Sequence, residues 1–147
     1  MTFTAVDAGD EDLTFAHDLT RENMAAYYEE HGRHWDTAIF SASWPGTENF
    51  LLLESDERIG ILRLTHEGDE LYVRDLQVLP THQRRGAGTF ALQLVELIAM
   101  ERNVSRIRLS VFLGNPAQSL YRRLGFEEVG RKNRMSVFER VIGVPSG

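Results

Sequence analysis

The stretch LQVLPTHQRRGAG, residues 76–88, sets two glycines and two arginines between an apolar strand and a helix. Glycines let a backbone turn tightly or let a ligand approach it closely. The first N–H groups of a helix attract anions, and Arg84 and Arg85 favour the same kind of ligand. A plain turn is the alternative, since Gly-x-Gly alone is a weak signal.

The spacing of the glycines excludes two common nucleotide motifs. A P-loop needs Gly-x-x-x-x-Gly-Lys followed by Ser or Thr, and a dinucleotide fingerprint needs a third glycine. Here Gly88 is followed by TFAL, which fits neither pattern. Neither of these nucleotide-binding folds is therefore expected.

The composition favours a single globular domain over residues 1–147. The chain is 42% hydrophobic and has no cysteine, so it can bury a core without disulfides. We expect a cytoplasmic protein, because the N-terminus lacks a basic segment before an apolar run and no stretch approaches the roughly 18 apolar residues of a membrane span. The net charge of −6 disfavours a general affinity for nucleic acid, despite local basic residues.

Hydrophobic periodicity predicts alternating strands and helices. Apolar residues recur at helical steps from Leu13 to His31, where Gly32 ends the pattern. Three apolar runs in residues 50–78, separated by short turns, predict an antiparallel meander. After the glycine loop come a helix from near Gly86 to about Arg102, with Asn103 as its terminator, a strand at 106–112, a short helix stopped by Gly125 and a closing hairpin. This order indicates an α/β fold with a mixed sheet and helices on its faces.

A second motif, GNPAQSLYRRLGF, occupies residues 114–126. Asn115 is a good N-cap and Pro116 is tolerated at the first helical position, so capping alone also explains these two residues. On the predicted helix, Ala117 and Tyr121 are four residues apart and face the same way. A small residue and a tyrosine therefore share one surface.

The two motifs, in this order and separation, resemble those of the GNAT superfamily of N-acetyltransferases. The matching region runs from about Leu71 to Phe126, and the order of strands and helices extends it across nearly the whole chain. The resemblance implies a GNAT fold, with a central, mostly antiparallel twisted sheet of about seven strands, splayed between strands 4 and 5 and flanked by about four helices. It also implies acetyl-CoA as the co-substrate.

The resemblance assigns residues to acetyl-CoA. The backbone of Gln77–Leu79 would pair with the pantetheine arm, Asn115 would hydrogen-bond it, and Ala117 would leave room for it. Tyr121 would lie near the thioester sulfur. The pyrophosphate would be held by the backbone N–H groups of Arg84, Arg85, Gly86, Ala87, Gly88 and Thr89.

Acyl transfer to an amine needs an oxyanion stabiliser, an acid for the departing thiolate and a base. The N–H of Val78 is the candidate oxyanion donor. Tyr121, with an ordinary pKa of about 10, is the candidate acid for a thiolate whose conjugate acid has a pKa of about 8.5. Arg74 stands where some relatives carry an acidic residue, and strand alternation points it away from Asp75. Asp75 is then the candidate base or acceptor-binding group, with a structural ion pair as the alternative.

The resemblance places the acceptor near residues 23–36, NMAAYYEEHGRHWD. Tyr27 and Tyr28 are about 100 degrees apart on a helix, so one can pack inward while the other lines a cleft. Trp35 and Asp36 could supply an aromatic wall and a counter-charge for an ammonium ion. Ordinary helix packing with a solvated acidic face is the alternative.

The favoured function is an N-acetyltransferase that moves the acetyl group of acetyl-CoA to a primary amine of a small molecule or protein, by direct attack in a ternary complex. A non-catalytic acyl-CoA-binding sensory or regulatory module is the alternative. The expected partners are acetyl-CoA and an amine acceptor, not nucleic acid or membrane. No metal is expected, because Gly32 separates His31 from His34 and Asp36 and no second cluster completes a site. The apolar residues of 134–144 could extend a sheet into a second copy, so a homodimer stays open.

Overall fold

The computed structural model describes residues 2–143, and that range contains seven strands and four helices. In chain order they are β1 (Phe3–Asp7), α1 (Leu13–Glu30), α2 (Thr37–Ser43), β2 (Glu48–Glu54), β3 (Glu57–Glu67), β4 (Glu70–Val78), α3 (Ala87–Glu101), β5 (Arg106–Phe112), α4 (Gln118–Arg123), β6 (Glu127–Lys132) and β7 (Met135–Val141). The predicted order of strands and helices is confirmed. Val144, the last residue of the apolar C-terminal stretch, lies outside the described residues.

The strands hydrogen-bond in the order β1-β2-β3-β4-β5-β7-β6. The pairs β1–β2, β2–β3, β5–β7 and β6–β7 are antiparallel, whereas β4 and β5 are parallel. The parallel register joins Glu70–Val73 to Arg106–Leu109, and within residues 2–143 it does not continue along β4. The expected mixed sheet, splayed between strands 4 and 5, is confirmed.

Contacts group the described chain into two compact units. Unit 1 comprises residues up to Leu64 together with Asp75–Ala91, and unit 2 comprises Thr65–Arg74 together with residues from Leu92 onward. Strands β3 and β4 and helix α3 therefore contribute residues to both units. The expectation of one domain over residues 1–147 stays a prediction. Across residues 2–143, the helices fall short of the length and apolar character that a membrane span requires.

Unit 1 has a core between α1, α2 and the strands β2 and β3. Ala16 and Leu19 lie one helical turn apart on α1, so both face this core. Gly32, with φ of +65°, follows α1 and ends it as predicted. Each fully buried large aliphatic or aromatic side chain in this core contributes about 1.5–3 kcal/mol to the free energy of unfolding. The buried members of the core are Ala16, Leu19, Phe40, Trp44, Leu51 and Ile61.

Unit 2 combines the C-terminal part of α3 with α4 and the strands β5, β7 and β6. Ile107, Leu109 and Val111 alternate along β5 and are all buried, which is the period of a strand with one face in a core. Phe138 of β7 stands opposite Leu109 in the register and is fully buried. Gly125, with φ of +88°, follows α4 and ends it as predicted.

Candidate active site

The end of β4 is held in a defined orientation against β3. A Cβ on Gly60 would lie 2.4 Å from the carbonyl oxygen of Gln77, so that carbonyl faces β3 at a distance only glycine allows. In a trans peptide the C=O and the next N–H point in opposite directions. The N–H of Val78 is therefore turned away from β3. The N–H of Leu79 donates to the carbonyl oxygen of Ile59 at 2.8 Å, which continues the same alternation.

Two side-chain amides hold the carbonyl of Val78. Asn23 Nδ2 of α1 and Gln83 Nε2 of the following loop each donate to this oxygen at 3.0 Å. Asn23 Nδ2 also donates to Gln77 Oε1 at 3.2 Å. The backbone at the end of β4 is thus fixed from α1, from β3 and from the loop, which is the preorganisation that an oxyanion donor needs.

The glycine loop leads directly into the N-terminus of α3. Arg84 has φ of +62° and Gly86 has φ of +97°, and the helix begins at Ala87 as predicted. The N–H of Phe90 donates to the carbonyl oxygen of Gly86 at 2.9 Å, which is the first turn of the helix. The earlier N–H groups of a helix have no acceptor within it. The loop therefore offers donors and a partial positive charge to an anion.

The two arginines of the loop differ in their surroundings. Arg85 Nη2 lies 3.1 Å from Oε1 of Glu54, whose side chain is 10% exposed. Arg84 is exposed. Arg85 thus ties the loop to the end of β2, whereas the charge of Arg84 faces solvent.

Asp75 is partly buried against an arginine. Arg63 Nη1 of β3 donates to Asp75 Oδ2 at 3.1 Å, and the side chains are 3% and 21% exposed. Burial raises the pKa of Asp75, while the charge of Arg63 and a hydrogen bond from Gln77 oppose the rise. Burial also raises the pKa of Tyr28, and the negative charge of Asp75 adds to this. The ion pair that the sequence suggested as the alternative role is present.

Arg74 lies on the opposite face of β4 from Asp75, as strand alternation predicts. Its Nε donates to Thr65 Oγ1 at 2.9 Å, and its guanidinium lies 3.9 Å from the centre of the Tyr72 ring. These contacts belong to unit 2.

The predicted acceptor residues lie in unit 1, with different partners. Asp36 is the N-cap of α2, and its Oδ1 accepts from the N–H groups of Ala38 and Ile39. Trp35 packs against Tyr28 at 5.5 Å between ring centres. Tyr27 and Tyr28 are both half-buried on the C-terminal part of α1.

The second motif forms a separate group in unit 2. Asn115 Oδ1 accepts from the N–H of Ala117 at 2.9 Å, and the N–H of Gln118 donates to the carbonyl oxygen of Asn115 at 3.2 Å. The helix begins at Gln118 with Ala117 as its N-cap, so Asn115 is not the N-cap and Pro116 is not the first helical residue. The reason is that Asn115 closes a tight turn of i to i+3 hydrogen bonds before the helix.

Tyr121 of α4 is packed among aromatic rings of unit 2. Its ring lies 5.9 Å from that of Phe138 and 6.2 Å from that of Phe126. Burial raises the pKa of Tyr121 to about 12. The phenol is therefore protonated at neutral pH.

The sequence patterns did not identify Arg63 or Asn23 as residues of the candidate site. Arg63 stands between leucines in the stretch RIGILRLTH, residues 58–66, and a buried charge needs a partner. That signal was available in the sequence, although it does not name the partner. Asn23 carried no signal, because a polar residue on a long helix is most simply solvated. For metals, no cluster of three His, Asp or Glu side chains occurs in the part of the chain that the structure describes.

Comparisons with known proteins identify the family of the chain. Residues 16–126 match the model of the Acetyltransferase (GNAT) family. The chain is 34% identical over 86 residues to the ribosomal protein bS18-alanine N-acetyltransferase of Haemophilus influenzae, covering 58% of this chain and 59% of that protein. The match thus spans less than two thirds of that relative.

Two solved structures have the same fold. The ribosomal-protein-S18-alanine N-acetyltransferase from Escherichia coli gives a TM-score of 0.78 at 22% identity, over 99% of this chain and 97% of that one. PaiA N-acetyltransferase from Thermoplasma acidophilum, in complex with coenzyme A, gives 0.77 at 18% identity, over 96% of this chain and 99% of that one. Because the family model spans well over half of its residues, the chain belongs to the GNAT family of acetyltransferases.

Proposed function

We propose that the protein transfers the acetyl group of acetyl-CoA to a primary amine, by direct attack in a ternary complex. The observation that carries the proposal is the fixed peptide between Gln77 and Val78, whose N–H is turned away from β3. Family membership supports the acyl donor. When bound, acetyl-CoA supplies an activated carbonyl, and the protein's residues bind, orient and move protons around it.

The loop before α3 fits the diphosphate of coenzyme A. Arg84 and Gly86 adopt positive φ, which turns successive N–H groups toward one side, and the helix N-terminus adds a partial positive charge. Arg84 contributes an exposed cation. We assign Arg84–Thr89 to the diphosphate, with Arg85 anchoring the loop through Glu54 rather than binding the ligand.

The N–H of Val78 stabilises the negative charge that develops on the acetyl oxygen. A donor of this kind works because it is already oriented and does not reorganise during the reaction. Gly60, Asn23 and Gln83 provide that orientation here. Removing a single oxyanion donor in other enzymes costs about 100- to 1,000-fold in kcat.

Asp75 is the residue we assign to the acceptor amine, as its base or as the carboxylate that binds its ammonium form. Burial raises the pKa of Asp75, which makes the carboxylate a better proton acceptor. An alkyl amine with a pKa of about 10.4 is neutral in roughly one molecule in 2,500 at pH 7, whereas an α-amino group with a pKa of about 8 is neutral in about one in ten. An α-amino acceptor therefore depends less on proton removal by this base.

Tyr121 is the proposed donor to the departing sulfur, a role for which its phenol must reach that atom. With a pKa of about 12 the phenol is protonated throughout the neutral range. Complete transfer to a thiolate whose conjugate acid has a pKa of about 8.5 would be unfavourable by about 3.5 pKa units. We therefore assign Tyr121 a hydrogen bond that strengthens as charge develops on sulfur, rather than early proton transfer.

The test is thiol release from acetyl-CoA with matched amine acceptors. The panel contains a peptide that begins with alanine, the same peptide with a blocked N-terminus and one internal lysine, and small diamines. The named activity of the Haemophilus influenzae relative makes the alanine peptide the first choice. We expect turnover that Tyr121→Phe reduces about 10- to 100-fold, which is the loss of one hydrogen bond to a charged group.

Calorimetric binding of acetyl-CoA, measured on the same samples, separates the two functions. Binding without turnover of any acceptor would favour the acyl-CoA-binding module. Absence of binding would refute the assignment of the loop.

A further inference from the structure

Arg63 is a buried cation that the proposed reaction does not use directly. It lies in β3 between Leu62 and Leu64 and is 2% exposed. A charge at such a position is costly unless each of its donors has a partner. Its partners therefore indicate what the position is for.

The guanidinium group is fully engaged by neighbouring residues of unit 1. Nε donates to Asn49 Oδ1 at 3.1 Å and Thr47 Oγ1 at 3.3 Å. Nη2 donates to Ser43 Oγ at 2.9 Å and to Thr47 Oγ1 at 3.0 Å. Nη1 donates to Asp75 Oδ2 at 3.1 Å. Three neutral side chains thus orient the guanidinium group, and one carboxylate forms an ion pair with it.

Two aromatic rings flank the same group. The guanidinium carbon lies 4.7 Å from the centre of the Phe40 ring and 5.3 Å from that of Trp44. Both aromatic side chains are buried in the core of unit 1. Arg63 is therefore held more rigidly than an ion pair with Asp75 alone requires.

Asp75 has donors or charged groups facing it from three elements. Arg63 of β3 and Gln77 of β4 itself both donate hydrogen bonds to the carboxylate. Tyr28 of α1 lies close enough that the negative charge of Asp75 raises its pKa. Gln77 is also bonded to Asn23, which holds the carbonyl of Val78. One hydrogen-bonded network therefore reaches both the carboxylate and the peptide proposed to bind the acetyl oxygen.

We infer that Arg63 is a positioning residue that fixes the orientation and charge of Asp75 for the acceptor amine. The inference rests on the proposed function, since it gives Asp75 a part in the reaction. Arg63 engages Oδ2 of Asp75. One N–H of the guanidinium group holds this carboxylate oxygen, and the positive charge of Arg63 opposes the rise in the pKa of Asp75 that burial causes.

The pH profile distinguishes positioning from a structural role. An opposite charge within about 4–6 Å lowers a carboxyl pKa by about 1–3 units, so its removal moves the pKa upward. In Arg63→Met we expect the acidic limb of kcat/KM to move to higher pH by about 1–2 units. Arg63→Lys keeps the positive charge but loses the planar guanidinium group with its several N–H donors. We therefore expect a smaller shift of the acidic limb and a lower kcat. If the ion pair were purely structural, Arg63→Met would lower the melting temperature and leave the acidic limb of kcat/KM at the same pH.

Asn49→Ala is the matched control, because it removes a contact to Arg63 without touching Asp75. This variant should lower the melting temperature, while the acidic limb of kcat/KM shifts far less than in Arg63→Met. Should Arg63→Met not fold, the double variant Ser43→Ala with Asn49→Ala loosens the guanidinium group and keeps the ion pair. We then expect a lower kcat at unchanged acetyl-CoA affinity, and an unchanged kcat would overturn the inference.

A second readout keeps this test separate from the proposed function. The titration of the Asp75 carboxyl carbon, followed by NMR with Asp75→Asn for assignment, does not depend on turnover. If the wild type acetylates no amine, the proposed function fails, whatever Arg63 does. If the wild type is active and Arg63→Met is folded, an unmoved limb and an unmoved titration overturn the inference.

Discussion

Gly60→Ala tests whether the contact between β3 and β4 fixes the peptide of Val78. A Cβ at residue 60 would meet the carbonyl oxygen of Gln77 at 2.4 Å and Leu52 Cδ1 at 3.2 Å. The leucine can move, but the carbonyl is backbone, so β4 must retreat by about 1 Å to reach an ordinary separation of 3.4 Å. Overpacking costs about 1–3 kcal/mol, and the lower entropy of alanine in the unfolded chain offsets about 0.4–1 kcal/mol. We expect a net loss of about 1–2 kcal/mol in the free energy of unfolding.

The same shift should reduce catalysis more than binding of the amine. A misplacement of about 1 Å can cost about 100-fold in rate, so we expect kcat to fall about 10- to 100-fold. Denaturant unfolding and thiol release measure the two effects. Gly130→Ala is the control, because it also lies in a strand and no atom lies within 4 Å of its added Cβ. Its free energy of unfolding should rise by about 0.4–1 kcal/mol, because the entropy of the unfolded chain falls and no contact opposes the methyl group.

Two results would refute this reasoning in different ways. Wild-type stability and turnover in Gly60→Ala would mean that β4 accommodates the methyl group and that the contact fixes nothing. A loss of stability with unchanged kcat would mean that the contact is real but that the peptide of Val78 does not set the rate.

Three further changes test the loop, the acceptor segment and the phenol. Arg84→Ala should weaken acetyl-CoA binding by about 1.5–3 kcal/mol with little effect on stability, whereas Arg85→Ala should lower stability by about 1 kcal/mol because Glu54 loses its cation; calorimetry and denaturant unfolding measure the two. Asp36→Ala should destabilise by about 1 kcal/mol through loss of the α2 cap, and Asp36→Asn should not. A higher KM for a cationic amine in Asp36→Asn would instead indicate a counter-charge. Since the pKa of Tyr121 is about 12 in the folded protein and about 10 when unfolded, only the unfolded chain loses this proton between those values. The free energy of unfolding should therefore fall as pH rises from about 10 to 12, by up to about 2.7 kcal/mol, and Tyr121→Phe should remove this fall.

Local chemistry made most of the fold predictable. Gly32, Asn103 and Gly125 were expected to end helices, and each has a positive φ two residues after the last residue of one. These positions depend on the backbone of one residue, so no knowledge of neighbours is needed. The start of α4 was less predictable, because Asn115 can cap a helix or close a turn with the same side-chain oxygen.

The backbone part of the candidate site was also predictable, since the motif lies on consecutive residues. Side-chain partners were not. Nothing near Arg85 in the sequence distinguishes it from Arg84, and only the position of Glu54 in space gives Arg85 an ion pair with β2. Likewise Asn23 is 55 residues from Val78, so the hydrogen bond that orients the peptide depends on where α1 packs.

Asp75 shows why sequence reasoning could not choose between a base and an ion pair. Both roles require a carboxylate on the inner face of β4 near a cation, so the same residue pattern predicts both. The roles are also compatible, because Arg63 binds one carboxylate oxygen while burial raises the pKa of the group and the arginine charge limits the rise. What separates them is the response of the reaction to the arginine, since a buried Arg63 needs its neutral partners in either role, whereas only a base requires its carboxylate to keep one orientation during turnover.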